Sequence, residues 1–259
     1  MLNKAMTAAR ASLRHVRARL TRASASENRV RLEANAYSVR KKQLLSAFQN
    51  QRERQFNERP IEYSFVFKCL SEIYPTRVLD VGCGETALSA LMRTCGFQVT
   101  ASDNVSDYWT DGLRNWHFHV VDDDICASQI AQSFDAIVCI STLEHIVKFE
   151  DAIANMHRLL TIGGHLILTF PYTESRYIPN VYELEESFVD PAMFPFVTQS
   201  YCRRNIEAWC GVGLKVLEQE YWQYFTGNAW TVGDEIIPPK KVRCDVNHQL
   251  SCILFQRVR

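Results

Sequence analysis

The chain has 259 residues, 47% hydrophobic and 22% charged, with 29 basic and 29 acidic side chains. This is an ordinary globular composition, long enough for one large α/β domain with an appendage, and no apolar run approaches the roughly 20 residues that span a bilayer. None of the nine cysteines lies two or three residues from another, which excludes a zinc-type CxxC pair and a disulfide framework and fits a protein of the reducing cytoplasm.

The neutral total hides a division. Residues 1–60 carry fourteen Lys/Arg against four Asp/Glu, and the rest carry fifteen against twenty-five. Near the start, Leu2, Met6, Ala9, Leu13, Val16 and Leu20 fall on one helical stripe, with Lys4, Arg10, Arg14, Arg17, Arg19 and Arg22 on the other faces. Such a helix can lie peripherally on an anionic membrane surface, contact nucleic acid or dock on an acidic patch of its own body, and in composition it resembles a transit peptide. A Ser-rich break at residues 23–26 precedes a second polar helix ending before Pro60. Residues 1–59 are therefore expected to form a basic helical extension, and residues 60–259 the folded body.

Within the body a more apolar helix over 61–73 leads to Pro75. Strands are then predicted at 77–81, 98–102, 117–121, 134–140 and 165–170, with helices at 87–95 and 149–160 between them. A helix over 201–210, a strand at 214–221 and a last strand at 249–256 follow. Two aromatic-rich irregular stretches, 172–196 and 222–247, interrupt this pattern. Strand-helix alternation of this kind builds a parallel sheet covered on both faces.

The first strand runs Val78-Leu79-Asp80-Val81 into Gly82-Cys83-Gly84, a glycine turn at the carboxyl edge of the sheet. A G-x-G there serves nicotinamide, flavin and S-adenosylmethionine alike, and Ala87 stands where the dinucleotide fingerprint has its third glycine. The acids discriminate. Asp80 lies inside the strand, where a carboxylate can hold a cationic amino group directly or through water. Asp103, followed by Asn104, stands nineteen residues after Gly84 at the end of the second strand, placed to accept from ribose hydroxyls. Asp122-Asp123-Asp124-Ile125 closes the third strand, where one acid can accept from an adenine amino group while Ile125 flanks the ring.

From about Pro60 onward these residues resemble the class I S-adenosylmethionine-dependent methyltransferase superfamily, most closely the methyltransferase type 11 style of sequence. The resemblance also covers Phe134-Asp135-Ala136-Ile137-Val138 with Leu143-Glu144-His145-Ile146, and Arg158-Leu159-Leu160-Thr161-Ile162-Gly163-Gly164. It implies a Rossmann-like α/β fold whose seven-stranded sheet has its last strand antiparallel. The implied cofactor is S-adenosylmethionine, held by Asp80, Gly82, Cys83, Gly84, Asp103, Asn104, Asp123, Asp124, Ile125 and Ser141. Glu85 departs from the small residue usual at its position and would stand near the cofactor's methionine end.

A sulfonium methyl is already activated, so the protein's main task is alignment. Glu144-His145, just after the fourth strand, either supplies a general base with a near-neutral pKa or braces a helix. Tyr172 and Glu174 are further candidates, and Tyr63 can fold over the cofactor or simply pack its helix. Ser141-Thr142-Leu143 replaces the Asn/Asp-Pro-Pro-Tyr/Phe segment of enzymes that methylate nucleic-acid bases, and the acidic body is unsuited to phosphate. The aromatic stretches are long enough to cover a small-molecule or glycan acceptor. No metal site is predicted. A scaffold that binds the cofactor without turnover, or an RNA methyltransferase anchored by the basic arm, are the competing readings.

Overall fold

The computed structural model describes residues 57–108, 115, 117–191 and 196–259. Glu58–Arg259 form one compact unit. The expected basic extension lies, up to residue 56, outside the described residues. Among those described, no helix is long and apolar enough to cross a membrane.

Helix α1 (Arg59–Ile73) begins with proline in its first turn and ends at Tyr74, whose φ of 46° stops the helix just before Pro75. Strand β1 (Arg77–Val81) and helix α2 (Leu88–Thr94) follow. Strand β2 (Gln98–Asp103) leads into the single-turn helix α3 (Val105–Tyr108) and strand β3 (Val120–Asp122). Strand β4 (Phe134–Ile140), helix α4 (Phe149–Leu159) and strand β5 (Leu160–Pro171) complete the first half. Helix α4 buries Phe149, Ala152, Ile153, Met156 and Leu159, the three- and four-residue spacing of one apolar stripe. Its first turn carries Glu150 and Asp151 and its last His157 and Arg158, each matched to the helix dipole.

Helix α5 (Arg203–Gly211) and strands β6 (Leu214–Phe225), β7 (Glu235–Val242) and β8 (Leu250–Arg257) finish the chain. The sheet order is β3-β2-β1-β4-β5-β8-β6-β7. The first five strands are parallel, and β8 inserts antiparallel between β5 and β6. The expected seven strands are all present, and β7 adds an eighth within a stretch read as irregular. Pro238 and Pro239 obscured it. They are tolerated because β7 is an edge strand pairing only with β6, and they fall between the paired Lys240 and Glu235. Strand β3 is shorter than expected, beginning at Val120 rather than residue 117. The amides of His117 and Phe118 donate instead to Asn115 Oδ1, at 2.8 and 3.0 Å.

Successive connections run from β1 to β2 on one side, and β4 returns to the other side of β1. This reversal opens a crevice beyond the strand ends, where open α/β sheets bind ligands. On one face of the sheet Phe149, Phe170, Tyr201 and Trp209 pack edge to face with ring centroids 5.0–6.5 Å apart. A smaller cluster, Ile178, Val181, Tyr182, Ala229 and Val232, joins the two aromatic inserts to each other.

Asp80 breaks the apolar run of β1. It is 2% exposed, and its carboxyl accepts from Ser89 Oγ. Burial pushes its pKa up to about 7; Asp103 pushes the same way, while Ser89 and Arg59 oppose. The folded protein therefore binds a proton at Asp80 that the unfolded chain has released above about pH 4. Stability falls as pH rises from about 4 to about 7, by roughly 1.4 kcal/mol per unit from this group, and levels off above. Asp80→Asn should remove that slope, so that the ligand-free variant gains on the native protein across the window. Urea unfolding at a series of pH values checks this; parallel curves for the two proteins would sink the assignment.

Candidate active site

The turn after β1 is held against the turn after β4. Gly82, at φ 68°, lies so close to Thr142 that an added Cβ would stand 2.1 Å from Thr142 Cγ2. Thr142 Oγ1 donates to the Gly82 carbonyl at 3.1 Å. The amides of Gly82 and Cys83 both donate to the Ser102 carbonyl. Gly84, at φ 51°, donates its amide to Asp103 Oδ2 at 2.8 Å. Cys83 contributes backbone; burial pushes its thiol pKa up and keeps it protonated. Glu85 is exposed at the tip of the turn, so it does not crowd the strand ends. Tyr63 of α1 is half-buried, and burial raises its pKa.

The acids at 122–124 have separate tasks. Asp122 caps α3, accepting from the amides of Val105 and Ser106 and from the Ser106 hydroxyl. Asp124 caps the short turn Ile125–Ala127 through the Cys126 amide at 2.9 Å. Asp123 sits beside Asp103, to whose carbonyl its amide donates. Its Oδ1 accepts from Gln129, and its Oδ2 is buried with no hydrogen-bond partner. A buried acceptor left unpaired costs free energy that a ligand amino group can recover. Ile125 is packed into the core with Leu79 and Val81. Asn104 follows at the end of β2, half-buried.

Beyond β4, Ser141, Glu144 and His145 line a cavity of about 240 Å³. Glu58 and Arg59 bound it at the start of α1, and Tyr182, Phe196, Thr198 and Trp230 bound it from the two inserts. His145 Nδ1 lies 2.8 Å from the Val197 carbonyl. A carbonyl only accepts, so Nδ1 carries the proton and Nε2 is left as the basic nitrogen. Burial lowers the pKa of His145, with the Val197 hydrogen bond opposing, so the ring is neutral near neutral pH. Glu144 is 3% exposed; its Oε1 is 4.0 Å from His145 Nε2, and its Oε2 is buried without a partner. Burial holds its carboxyl pKa well above the usual range. The turn bearing this pair is braced by the segment before α5. Tyr201 donates to the Leu143 carbonyl at 2.8 Å, and Gln199 donates its amide to that of Glu144 at 2.9 Å.

Ser141 has a positive φ of 44°, and its hydroxyl donates to Glu62 Oε1 at 2.6 Å. Glu62, fully buried on α1, also accepts from Thr169 and, through Oε2, from Arg59 at 2.8 Å. Burial raises its pKa and Arg59 opposes. Sequence reasoning passed over Glu62 in favour of Tyr63. The available signal was that Glu62, Phe65, Val66 and Cys69 share the helix's buried face at helical spacing. Asn115 was also missed. Its Nδ2 donates to the Gly84 and Thr86 carbonyls at 2.8 and 3.1 Å, and nothing in its local sequence marks that role. Tyr172 and Glu174 do not line the cavity. Tyr172 is buried and bonded to Glu174, which is held by Arg203 at 2.9 Å.

A family model for a methyltransferase domain matches residues 15–224. Among curated proteins, the ubiquinone biosynthesis O-methyltransferase of Alkalilimnicola ehrlichii is 30% identical over 121 residues, covering 42% of this chain and 47% of that protein. The protein of the same name from Xanthomonas oryzae pv. oryzae is 32% identical over 117 residues, covering 42% and 48%. The chain spans about half the length of the curated relatives it matches. The solved 1,6-didemethyltoxoflavin-N1-methyltransferase of Burkholderia thailandensis, with bound 1,6-didemethyltoxoflavin and S-adenosylhomocysteine, covers 87% of this chain and 90% of its own. It superposes with a TM-score of 0.53 at 13% identity, a likeness of fold alone. The family match, lying over a parallel sheet that ends in antiparallel strands, means that the chain belongs to the methyltransferase-domain family, within the class I S-adenosylmethionine-dependent methyltransferases.

Proposed function

We propose that this protein transfers the methyl group of S-adenosylmethionine to an oxygen or nitrogen of a small-molecule or glycan acceptor. One observation carries the reading: the glycine turn with its strand-end acids adjoins, through the Gly82–Thr142 contact, a cavity that holds a neutral histidine. The curated relatives, which are named as O-methyltransferases, support the same chemistry.

S-adenosylmethionine supplies a methyl group already activated by its sulfonium charge. In this reading the Gly82–Gly84 backbone lets the cofactor approach the sheet edge, and Asp103, oriented by the Gly84 amide, accepts from the ribose hydroxyls. Asp123 fits the adenine amino group best of the three acids, because its Oδ2 is the buried oxygen without a partner. Asp124 and Ile125 then shape the adenine pocket as a cap and an apolar wall. Asp80, with its raised pKa, stands ready to ionise against the cofactor's ammonium group, directly or through water. Ser141 and Asn104 border the same crevice. His145 Nε2 accepts the proton of the acceptor, and Glu144 beside it contacts the acceptor rather than the cofactor.

The location we propose is cytoplasmic, with the basic arm meeting an anionic membrane surface, a reading supported by the charge and stripe of residues 2–22. Nucleic acid is not the proposed acceptor.

Asp103→Ala should weaken S-adenosylmethionine binding at least about tenfold, the cost of one or two charge-assisted hydrogen bonds. Calorimetry giving the native affinity would remove Asp103 from the ribose. His145→Ala should leave cofactor affinity within about twofold and lower kcat by about a hundredfold or more; a native kcat makes the residue structural. Removing residues 1–56 should abolish sedimentation with phosphatidylserine vesicles while leaving cofactor affinity intact. Undiminished sedimentation would exclude the arm as the membrane contact.

A further inference from the structure

We infer that the cavity beside His145 takes a protonated amine, a single-ring or similarly small molecule whose ammonium group docks between Glu144 and the aromatic walls and whose nitrogen receives the methyl group. This rests on the methyl-transfer reading above and chooses nitrogen over oxygen.

Charge is the first argument. Glu58, Glu144 and Arg59 line the cavity. Arg59 is already engaged with the buried Glu62 at 2.8 Å and lies 4.0 Å from Glu58. Arg59 is thus already held by carboxyl groups, and an anionic acceptor meets no unengaged cation among the described lining residues. The walls are the second argument. Tyr182, Phe196 and Trp230 line the same space, and an aromatic lining favours a cation over an anion.

The third argument is Glu144 itself. Its Oε2 is buried and has no hydrogen-bond partner. An isolated buried carboxylate is costly, so the group stays protonated until a partner arrives. A neutral hydroxyl brings one donor and no charge. An ammonium brings up to three donors and the opposite charge, which allows Glu144 to ionise and makes the gain on binding larger. The cavity, of about 240 Å³, lies at the small end of ligand pockets, and a single-ring acceptor is of matching size.

The reaction balances without another reagent. His145 Nε2 takes one proton from the bound ammonium, freeing the nitrogen lone pair. The N–C bond forms as the S–C bond of the sulfonium breaks, and the bonding pair leaves on sulfur as neutral S-adenosylhomocysteine. The methylated nitrogen departs as a cation, and His145 returns its proton to water.

Calorimetry of the full chain saturated with S-adenosylhomocysteine, titrated near neutral pH with benzylamine, benzyl alcohol and benzoate, tests the inference. Benzylamine should bind about tenfold or more tightly than benzyl alcohol, with benzoate weakest. Glu144→Gln should bring the amine-to-alcohol ratio close to one while S-adenosylhomocysteine binds as before; should that variant fail to fold, the order of the three ligands on the native protein decides. With S-adenosylmethionine in place of the product, mass spectrometry should find N-methylbenzylamine. Alcohol binding as tightly as amine, or an amine preference that survives in Glu144→Gln, overturns the inference and leaves the methyl-transfer reading standing. Failure of S-adenosylhomocysteine itself to bind overturns both.

Discussion

The close approach of Gly82 to Thr142 is the contact on which the rest of the site depends. It joins the turn after β1 to the turn after β4, across the point where the strand order reverses. No side chain fits between them, so the two turns behave as one surface. Asp103 ends β2 and Asp123 follows β3, while Glu144 and His145 line the cavity beyond β4.

Buried acids surround that junction, and each meets the cost of burial differently. Asp80 is bonded by Ser89. Glu62 is bonded by Ser141, Thr169 and Arg59, and so ties α1 to the ends of β4 and β5. Its bonds hold the residue that turns the chain out of β4 at a positive φ, and they place Arg59 at the cavity wall. Glu144 and Asp123 differ, each with one buried oxygen left unpaired. Fully bonded acids of this kind organise structure, whereas an unsatisfied buried oxygen calls for a partner such as a water, an ion or a ligand.

The segment between the first aromatic insert and α5 braces the turn that carries His145. Val197 orients His145, and Gln199 and Tyr201 grip the backbone of its turn. Tyr201 also belongs to the ring cluster against Phe170 and Trp209. The imidazole is therefore positioned by the protein core through a single aromatic residue and its neighbours. Tyr182 and Trp230, from different inserts, belong to or pack on one small cluster and face one cavity.

Residue pattern alone determined much of this protein. The strands at 77–81 and 134–140 were legible to the residue, because parallel strands buried on both faces read as unbroken apolar runs. The helix over 149–159 was legible from its stripe, and the acids at 80, 103 and 122–124 stood out by their places in and after successive strands. Those signals are local, carried by spacing within a few residues. Pro238 and Pro239 concealed β7, since local propensity argues against a strand that only an edge position permits. Glu62, Asn115 and the division of labour among Asp122, Asp123 and Asp124 depend on partners far along the chain. Glu62 is bonded by Ser141 and Thr169, and the Asn115 side chain reaches the glycine turn. A hydrogen bond across such a distance leaves no periodicity to read, so only the folded arrangement decided which acid caps a helix, which caps a short turn and which keeps a buried oxygen unpaired.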